Sequence, residues 1–181
     1  MQIAAHGAES EVLLIAVDGA VLSQLVQAAV ADATADEVTP PITPGTQWSD
    51  ARVGWLNAFH TDRRAGLDGP CQETTWAVTL DSRVVGSVRL KRVRDGGTAE
   101  MGIWLTRLAR QRGVGSAATR QVITRAAELG VERLVATTTS QNSPAVSLLE
   151  RLGFVLSAQA DGSVAAERIL GRRGESPDFP E

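Results

Sequence analysis

Two arginines and two glycines lie where an alternating apolar segment gives way to a helical pattern. Arg110 and Arg112 come just before Gly113 and Gly115, and helical spacing begins directly after them. Glycines let backbone N–H groups approach a ligand without a Cβ in the way, and the first turn of a helix adds unpaired N–H groups and partial positive charge. The spacing therefore predicts an anion-binding turn over residues 111–116, suited to a phosphate or a pyrophosphate.

Two common phosphate-binding motifs do not account for this turn. A Walker-type loop needs a lysine before its serine or threonine, but here Gly115 is followed directly by Ser116. A dinucleotide fingerprint fits as G-x-G-x-x-A, yet seven residues separate Leu105 from Gly113, where that fold has an immediate turn. The next strand also ends without the acidic residue that would hold a ribose. A nucleotide-dependent oxidoreductase is therefore disfavoured.

A second motif follows on the next helical segment. Residues 142–154 have the sequence NSPAVSLLERLGF, in which an Asn-Ser-Pro helix start is followed by a Gly-Phe helix end. Together with the R-x-x-G-x-G spacing from Arg110 to Gly115, this stretch resembles the paired motifs of the GNAT N-acetyltransferase superfamily. Residues 99–104, AEMGIW, resemble its RimJ/RimL-like branch, which acetylates ribosomal-protein N-termini. The resemblance covers residues 83–156 and is diffuse before them.

The resemblance implies an enzyme that moves an acetyl group from acetyl-CoA to a primary amine by direct attack on the thioester. The acceptor would be a protein or peptide N-terminus, or a small amine such as an aminoglycoside. A non-catalytic acyl-CoA-binding or regulatory module is the alternative. The edges of two strand residues would pair with the pantetheine arm like an added strand. The residues implied to hold acetyl-CoA are Ile103, Leu105, Arg110, Gln111, Arg112, Gly113, Val114, Gly115, Ser116 and Asn142.

The catalytic groups are only partly specified by the sequence. An alkylammonium must lose a proton before it attacks, and Glu100 is the predicted base because it lies on the strand beside the expected thioester. Many family members carry a tyrosine on the second motif's helix as general acid, but Leu149 stands there and the chain contains no tyrosine. Ser147 is expected to fall off the helical face shared by Asn142 and Leu149. The general acid therefore stays unassigned.

The acceptor site is expected to combine aromatic and acidic side chains. Acidic groups would attract a cationic amine, and aromatic rings would form the wall of the pocket. The predicted substrate-binding residues are Trp48, Trp55 and Trp104. Further candidates for the wall, taken from the first two long helices and the loops after them, are His60, Asp62, Asp68 and Glu73.

Hydrophobic periodicity predicts the elements that position these residues. Val84, Val88 and Leu90 are expected to share one face of a strand. A stripe from Ala118 to Leu129 is expected to be buried. We expect an α/β fold of mixed, α+β-like character, the GNAT fold, with a central, mostly antiparallel mixed sheet and about four flanking helices. Tight turns are predicted at Asp81-Ser82 and at Asp95-Gly96-Gly97. The predicted strands are 12–17, 74–80, 84–93, 98–105, 134–138, 154–156 and 164–170, and the helices begin near 18, 46–49, 113 and 142.

Composition limits the remaining classes. The 181 residues fit one acyltransferase domain over 11–170 with flexible tails at 1–10 and 171–181. A net charge of −3 gives no global basic field, which disfavours nucleic-acid binding. Cys71 is the only cysteine, so neither an intrachain disulfide nor a cysteine-rich metal site is expected. No apolar run is long enough to span a membrane, so a cytoplasmic protein is expected, and a homodimer is compatible with the sequence.

Overall fold

A seven-stranded mixed sheet organises the chain. The structure, a computed structural model, describes residues 10–93 and 97–171; most of each expected tail, and residues 95 and 96 of the expected Asp-Gly-Gly turn, lie outside these ranges. The strands are β1 (Val12–Ala16), β2 (Glu73–Leu80), β3 (Arg83–Arg92), β4 (Thr98–Leu105), β5 (Arg133–Thr139), β6 (Val155–Ala158) and β7 (Ser163–Ile169). They lie side by side in the order β1-β2-β3-β4-β5-β7-β6.

The pairings within the described ranges are antiparallel except for the parallel contact of β4 with β5. The hairpin between β2 and β3 turns at Asp81 and Ser82, whose φ values of 49° and 67° are both positive, as in a type I′ turn. Such a turn matches the right-handed twist of the strands. The mostly antiparallel mixed sheet expected from the alternating segments is confirmed.

Five α-helices flank this sheet in the described part of the chain, and four of them have nine or more residues. They are α1 (Gly19–Asp32), the single-turn α2 (Ala35–Val38), α3 (Asp50–Asp62), α4 (Val114–Glu128) and α5 (Ser143–Arg151). The side chains of Asp18, Ser49 and Asn142 accept hydrogen bonds from the first turns of α1, α3 and α5, as N-caps do. Over the residues described, no helix combines the length and apolar character needed to cross a bilayer.

The helices divide between the two faces of the sheet. On one side, which we call the α4 face, Ala118 and Val122 of α4 and Leu149 of α5 pack against Val88 and Met101. On the other side, the α1 face, residues of α1 pack over Ala77 in a smaller cluster. His60 of α3 reaches Thr75 on this same α1 face. The main core therefore lies under α4 and α5.

Two details of the expected packing are wrong. A β-bulge shifts the register so that Val78 pairs with Gly86 but Thr79 pairs with Val84, which leaves Val85 as the extra residue. Val84 therefore packs on the α1 face, away from Val88 and Leu90. Leu129, placed on the buried stripe, follows the last turn of α4 and is 42% exposed.

Candidate active site

A gap opens where β4 separates from β5. Among the described residues, their pairing covers only Thr98–Glu100 with Arg133–Val135. The N–H of Thr106 donates to the Val85 carbonyl, and bonding direction alternates along an antiparallel pair. The backbone groups of Ile103 and Leu105 therefore point away from β3 and into the gap. This half of β4 is an open strand edge, as the expected pairing with an extended arm requires.

The gap widens into a cleft of about 900 Å³. The lining residues that the sequence had implicated are Ile103, Trp104, Leu105, Arg110, Gln111, Gly113, Gly115, Ser116 and Asn142. The remaining lining residues are Glu37, Pro144, Ala145, Ser147, Leu148 and Arg151. Arg112 and Val114 are not part of the wall, and the Val114 side chain is buried beneath the turn. Strand end, glycine turn and α5 therefore meet around one cavity.

The glycine turn has the geometry of an anion cradle. Gln111 and Gly113 both adopt left-handed backbone conformations, with φ values of 59° and 78°, and such alternation turns successive N–H groups to one side. No side chain caps the first turn of α4, so its amides are left for a ligand. A Cβ at Gly115 would lie 3.6 Å from Leu148 Cδ2 and 3.7 Å from Leu105 Cδ1, two side chains that also line the cleft. These features fit a pyrophosphate group.

Arg110, which directly precedes the two left-handed residues of this turn, contacts both the end of β4 and Glu37. Its Nε and Nη2 atoms donate to the Leu105 carbonyl at 3.0 and 2.9 Å, and Nη2 lies 2.8 Å from Glu37 Oε1. Burial raises the pKa of the Glu37 carboxyl, but hydrogen bonds from Thr34 and from Arg110 outweigh it, so the pKa is lowered overall. Glu37 was missed by the sequence analysis. Its Thr-x-x-Glu capping box was visible in the sequence, but nothing there connects it with Arg110.

In the α5 segment, Asn142 lies where the sequence predicts it, but Ser147 does not. Asn142 caps α5 through its side-chain oxygen Oδ1, which accepts from the Ala145 N–H at 3.3 Å, and it also lines the cleft. Its amide nitrogen is thus compatible with a ligand contact. Ser147 lies on the cleft wall, although it was expected to be off the helical face shared by Asn142 and Leu149. Asn142 precedes α5, so helical spacing counted from Asn142 does not predict which side chains face the cleft. Leu149 is buried in the core.

Glu100 lies outside the cleft wall, on the α1 face of β4. Its Oε1 atom accepts a hydrogen bond from Arg89 Nη2 at 2.5 Å. Arg89 lies flat across Gly102, where a Cβ would come within 2.8 Å of its Nε atom. Arg89 also contacts the buried Glu73, which Arg63 holds at 2.6 Å. Glu100 is thus the partly exposed end of a row of alternating charges formed by Glu73 on β2, Arg89 on β3 and Glu100 on β4.

The three tryptophans predicted to bind the substrate have different positions. Trp104 lines the cleft and packs partly on the α1 face. Trp48 donates from Nε1 to the Ala33 carbonyl at 2.9 Å, and Trp55 stacks on Phe59 with ring centroids 4.8 Å apart. Neither Trp48 nor Trp55 belongs to the cleft wall, so a substrate contact for these two remains a prediction.

His60 is buried under α3, where it cannot form part of an open pocket. It is only 1% exposed, and its Nδ1 atom pairs with Thr75 Oγ1 at 2.9 Å. Burial, with a smaller contribution from the Arg63 charge, lowers the pKa of His60 to about 4. The imidazole is therefore neutral at physiological pH, which fits a packing role.

This buried histidine predicts a pH dependence of stability. Because the pKa of His60 is lowered on folding, the unfolded chain binds a proton below its ordinary value of 6.5 while the folded chain does not. The free energy of unfolding should therefore fall by roughly 1.5 kcal/mol between about pH 6.5 and pH 5 through this residue. Urea unfolding at several pH values measures the slope. His60→Gln should flatten it, and an unchanged slope in that variant would contradict the assignment.

The chain resembles known proteins in both its sequence and its fold. Residues 22–155 match the family described as "Acetyltransferase (GNAT) domain". A comparison with proteins of curated function finds no match.

Solved structures with similar folds include several acetyltransferases. RimL, a ribosomal L7/L12 α-N-protein acetyltransferase in complex with coenzyme A, is 17% identical, with a TM-score of 0.66 over 87% of this chain and 93% of that one. The putative acetyltransferase yncA from Salmonella typhimurium with acetyl-CoA is 21% identical, with a TM-score of 0.63 over 92% and 98%. The GNAT domain of S. lividans PAT is 20% identical, with a TM-score of 0.66 over 88% and 90%.

Proposed function

Because the chain belongs to the GNAT acetyltransferase family, whose members use acetyl-CoA, we propose that its single domain, residues 11–170, transfers the acetyl group to a primary amine at the cleft between β4 and α5. The observation that carries this proposal is the coincidence of an open strand edge with an anion cradle in one cavity. A pyrophosphate needs the cradle, and an extended amide-bearing arm needs the edge. Neither feature alone would indicate an acyl-CoA.

Different groups of the chain would bind different parts of acetyl-CoA. Backbone amides of residues 111–116 would hold the pyrophosphate at the start of α4. The N–H and carbonyl of Ile103 would pair with the pantetheine arm, whereas at Leu105 only the N–H is available because Arg110 occupies the carbonyl. Asn142 would contact the arm from the opposite wall. When bound, acetyl-CoA supplies an activated thioester that an amine can attack directly.

We assign proton removal from the acceptor amine to Glu100. Arg89 contacts Oε1, which leaves Oε2 to accept a proton directly or through a water molecule. A second concavity, of about 920 Å³, includes Val135, the residue paired with Glu100 on β5. The acceptor would approach Glu100 across this open part of the sheet, formed by β5, β6 and β7. An open approach suits a peptide N-terminus, as in the RimJ/RimL-like branch, or a small amine.

Replacing Glu100 tests the proposal. Glu100→Gln should lower kcat about a hundredfold, because a general base contributes at least that much, while leaving the affinity for acetyl-CoA unchanged. Release of free thiol in the presence of peptide and aminoglycoside acceptors measures turnover, and calorimetry measures binding. Glu128→Gln, on the exposed end of α4, makes the same charge change and should have no effect. Equal loss of binding and turnover, or loss of neither, would remove Glu100 from this role.

A non-catalytic acyl-CoA-binding module is the second candidate. The chain has no tyrosine, and Leu149, at the position where many relatives place one, is buried in the core. A module of this kind would bind acetyl-CoA but release no thiol with any amine. The same assay separates the two functions, because the wild-type protein then shows binding without turnover.

A further inference from the structure

The helices before β2 are joined to the phosphate-binding turn by acidic side chains. Asp32, the last residue of α1, accepts a hydrogen bond from the Leu108 N–H at 2.8 Å. Glu37 of α2 contacts Arg110 at 2.8 Å and lies 4.0 Å from Arg107. The segment between β4 and the glycine turn is therefore held from outside by α1 and α2, not only by its own hydrogen bonds.

Glu37 is fixed independently of the arginines that it contacts. Its Oε2 atom accepts from the N–H and the hydroxyl of Thr34 at 2.8 and 2.9 Å, which closes the capping box of α2. The neighbouring Asp36 is bound at 2.6 Å by the fully buried Arg52. Glu37 Oε1 is thus presented to Arg110 from a rigid support, so the carboxylate sets the position of the guanidinium.

A carboxylate in this place has an electrostatic cost for the proposed ligand. Glu37 belongs to the wall of a cleft whose ligand would carry several phosphate charges. By charge alone it should weaken binding, since like charges repel across a partly exposed site. The contact of Glu37 with Arg110 would offset this repulsion. Arg110 is held against the Leu105 carbonyl, immediately before the two left-handed residues of the cradle, Gln111 and Gly113.

We propose that Glu37 is a positioning residue for acetyl-CoA: it fixes Arg110 against the end of β4, and this keeps the amides of the cradle turned toward the cleft. The proposal rests on the cleft being the acetyl-CoA site but not on turnover or on any acceptor. Arg110, in turn, acts as a brace for the turn more than as a direct ligand of the phosphates. Without the brace, the strained turn would sample other conformations before binding.

Whether Glu37→Gln weakens or tightens the binding of coenzyme A tests this role. Glu37→Gln can still accept from Thr34 but loses its charge contact with Arg110. We expect it to weaken binding of coenzyme A roughly threefold to tenfold, as for loss of a partly exposed ion pair, and to raise the KM for acetyl-CoA with kcat unchanged. Removal of a negative charge by itself would tighten binding. The control is Glu150, an exposed residue of α5. Glu150→Gln also removes one negative charge and should not weaken the binding of coenzyme A.

A double-mutant cycle identifies the path of the effect. If Glu37 acts through Arg110, adding Glu37→Gln to Arg110→Gln should cause little further loss of coenzyme A affinity by calorimetry. Unchanged or tighter binding by Glu37→Gln overturns the proposal, and so does full additivity of the two losses. Thermal unfolding checks that each variant is folded; should Glu37→Gln not fold, Arg110→Gln alone must show the same loss. Failure of the wild-type protein to bind coenzyme A would instead overturn the proposed function.

Discussion

Gly115→Glu should abolish binding of acetyl-CoA. The side chain would start beside Leu148 and Leu105 on the cleft wall, and its carboxylate would extend into the space proposed for the phosphates. Steric overlap and like-charge repulsion act together there, so we expect the affinity to fall by a factor of about a thousand or more. Calorimetric titration with coenzyme A measures the loss directly, without any acceptor.

Gly115→Ala is the matched control for this substitution. Its Cβ would meet Leu148 Cδ2 at 3.6 Å and Leu105 Cδ1 at 3.7 Å, which are ordinary van der Waals distances. Alanine is also a better helix former than glycine, so the variant should be at least as stable as the wild type. We expect its affinity to stay within a few-fold of the wild type. Near-normal binding by Gly115→Glu in a folded protein would show that the ligand does not use this turn.

Local sequence patterns predicted many of the strands, turns and helix starts, because each of these depends only on neighbouring residues. The alternation in β2 and β4, the Asp-Ser turn after Leu80 and the Asn-Ser-Pro start of α5 all appear in the structure. The glycine turn was also predicted correctly in place. Its left-handed φ at Gly113 is the conformation that glycine adopts without a Cβ penalty. In these segments, short-range sterics and capping decide the conformation.

Features set by distant contacts were not predictable in the same way. The bulge at Val85 places Val84 on the opposite face of the sheet from the one expected. The neighbouring Gly86 is a residue type that often marks a bulge, but it does not by itself specify which residue is extra. The separation of β4 from β5 after Glu100 depends on sheet register, which becomes defined only when the strands pair. Glu37 and Arg110 are more than seventy positions apart, so their contact leaves no trace in local spacing. Long-range contacts therefore complete the cleft, whereas the local motifs predicted only its glycine turn and the start of α5.

Arg52 is the clearest long-range feature, because nothing in its surroundings in the sequence marks it as buried. Its side chain has 0% exposure and lies at the centre of the loop between α2 and α3. The guanidinium donates to Asp36 at 2.6 Å, to the Thr39 hydroxyl at 3.2 Å, to the Thr43 hydroxyl and carbonyl at 2.9 and 3.1 Å, and to the Gly45 carbonyl at 2.8 Å. A loop rich in proline cannot supply these bonds from its own amides. The Arg52 guanidinium thus holds the loop between α2 and α3 through five hydrogen bonds.

Arg52→Met should destabilise the protein by about 2–3 kcal/mol, because it removes the donor of several part-buried acceptors and of the buried Thr39 hydroxyl, and it breaks an ion pair whose carboxylate is partly exposed. Urea unfolding measures the change, and Arg120→Met on the exposed side of α4 is the matched control, with an expected change below about 0.5 kcal/mol. A loss of less than about 1 kcal/mol at Arg52 would mean that the loop holds its shape without the cation. Since Asp36 directly precedes Glu37, we also expect Arg52→Met to weaken coenzyme A binding in the fraction that remains folded. The hydrogen bonds of Arg52 would then stabilise both the loop between α2 and α3 and the cradle that Glu37 braces.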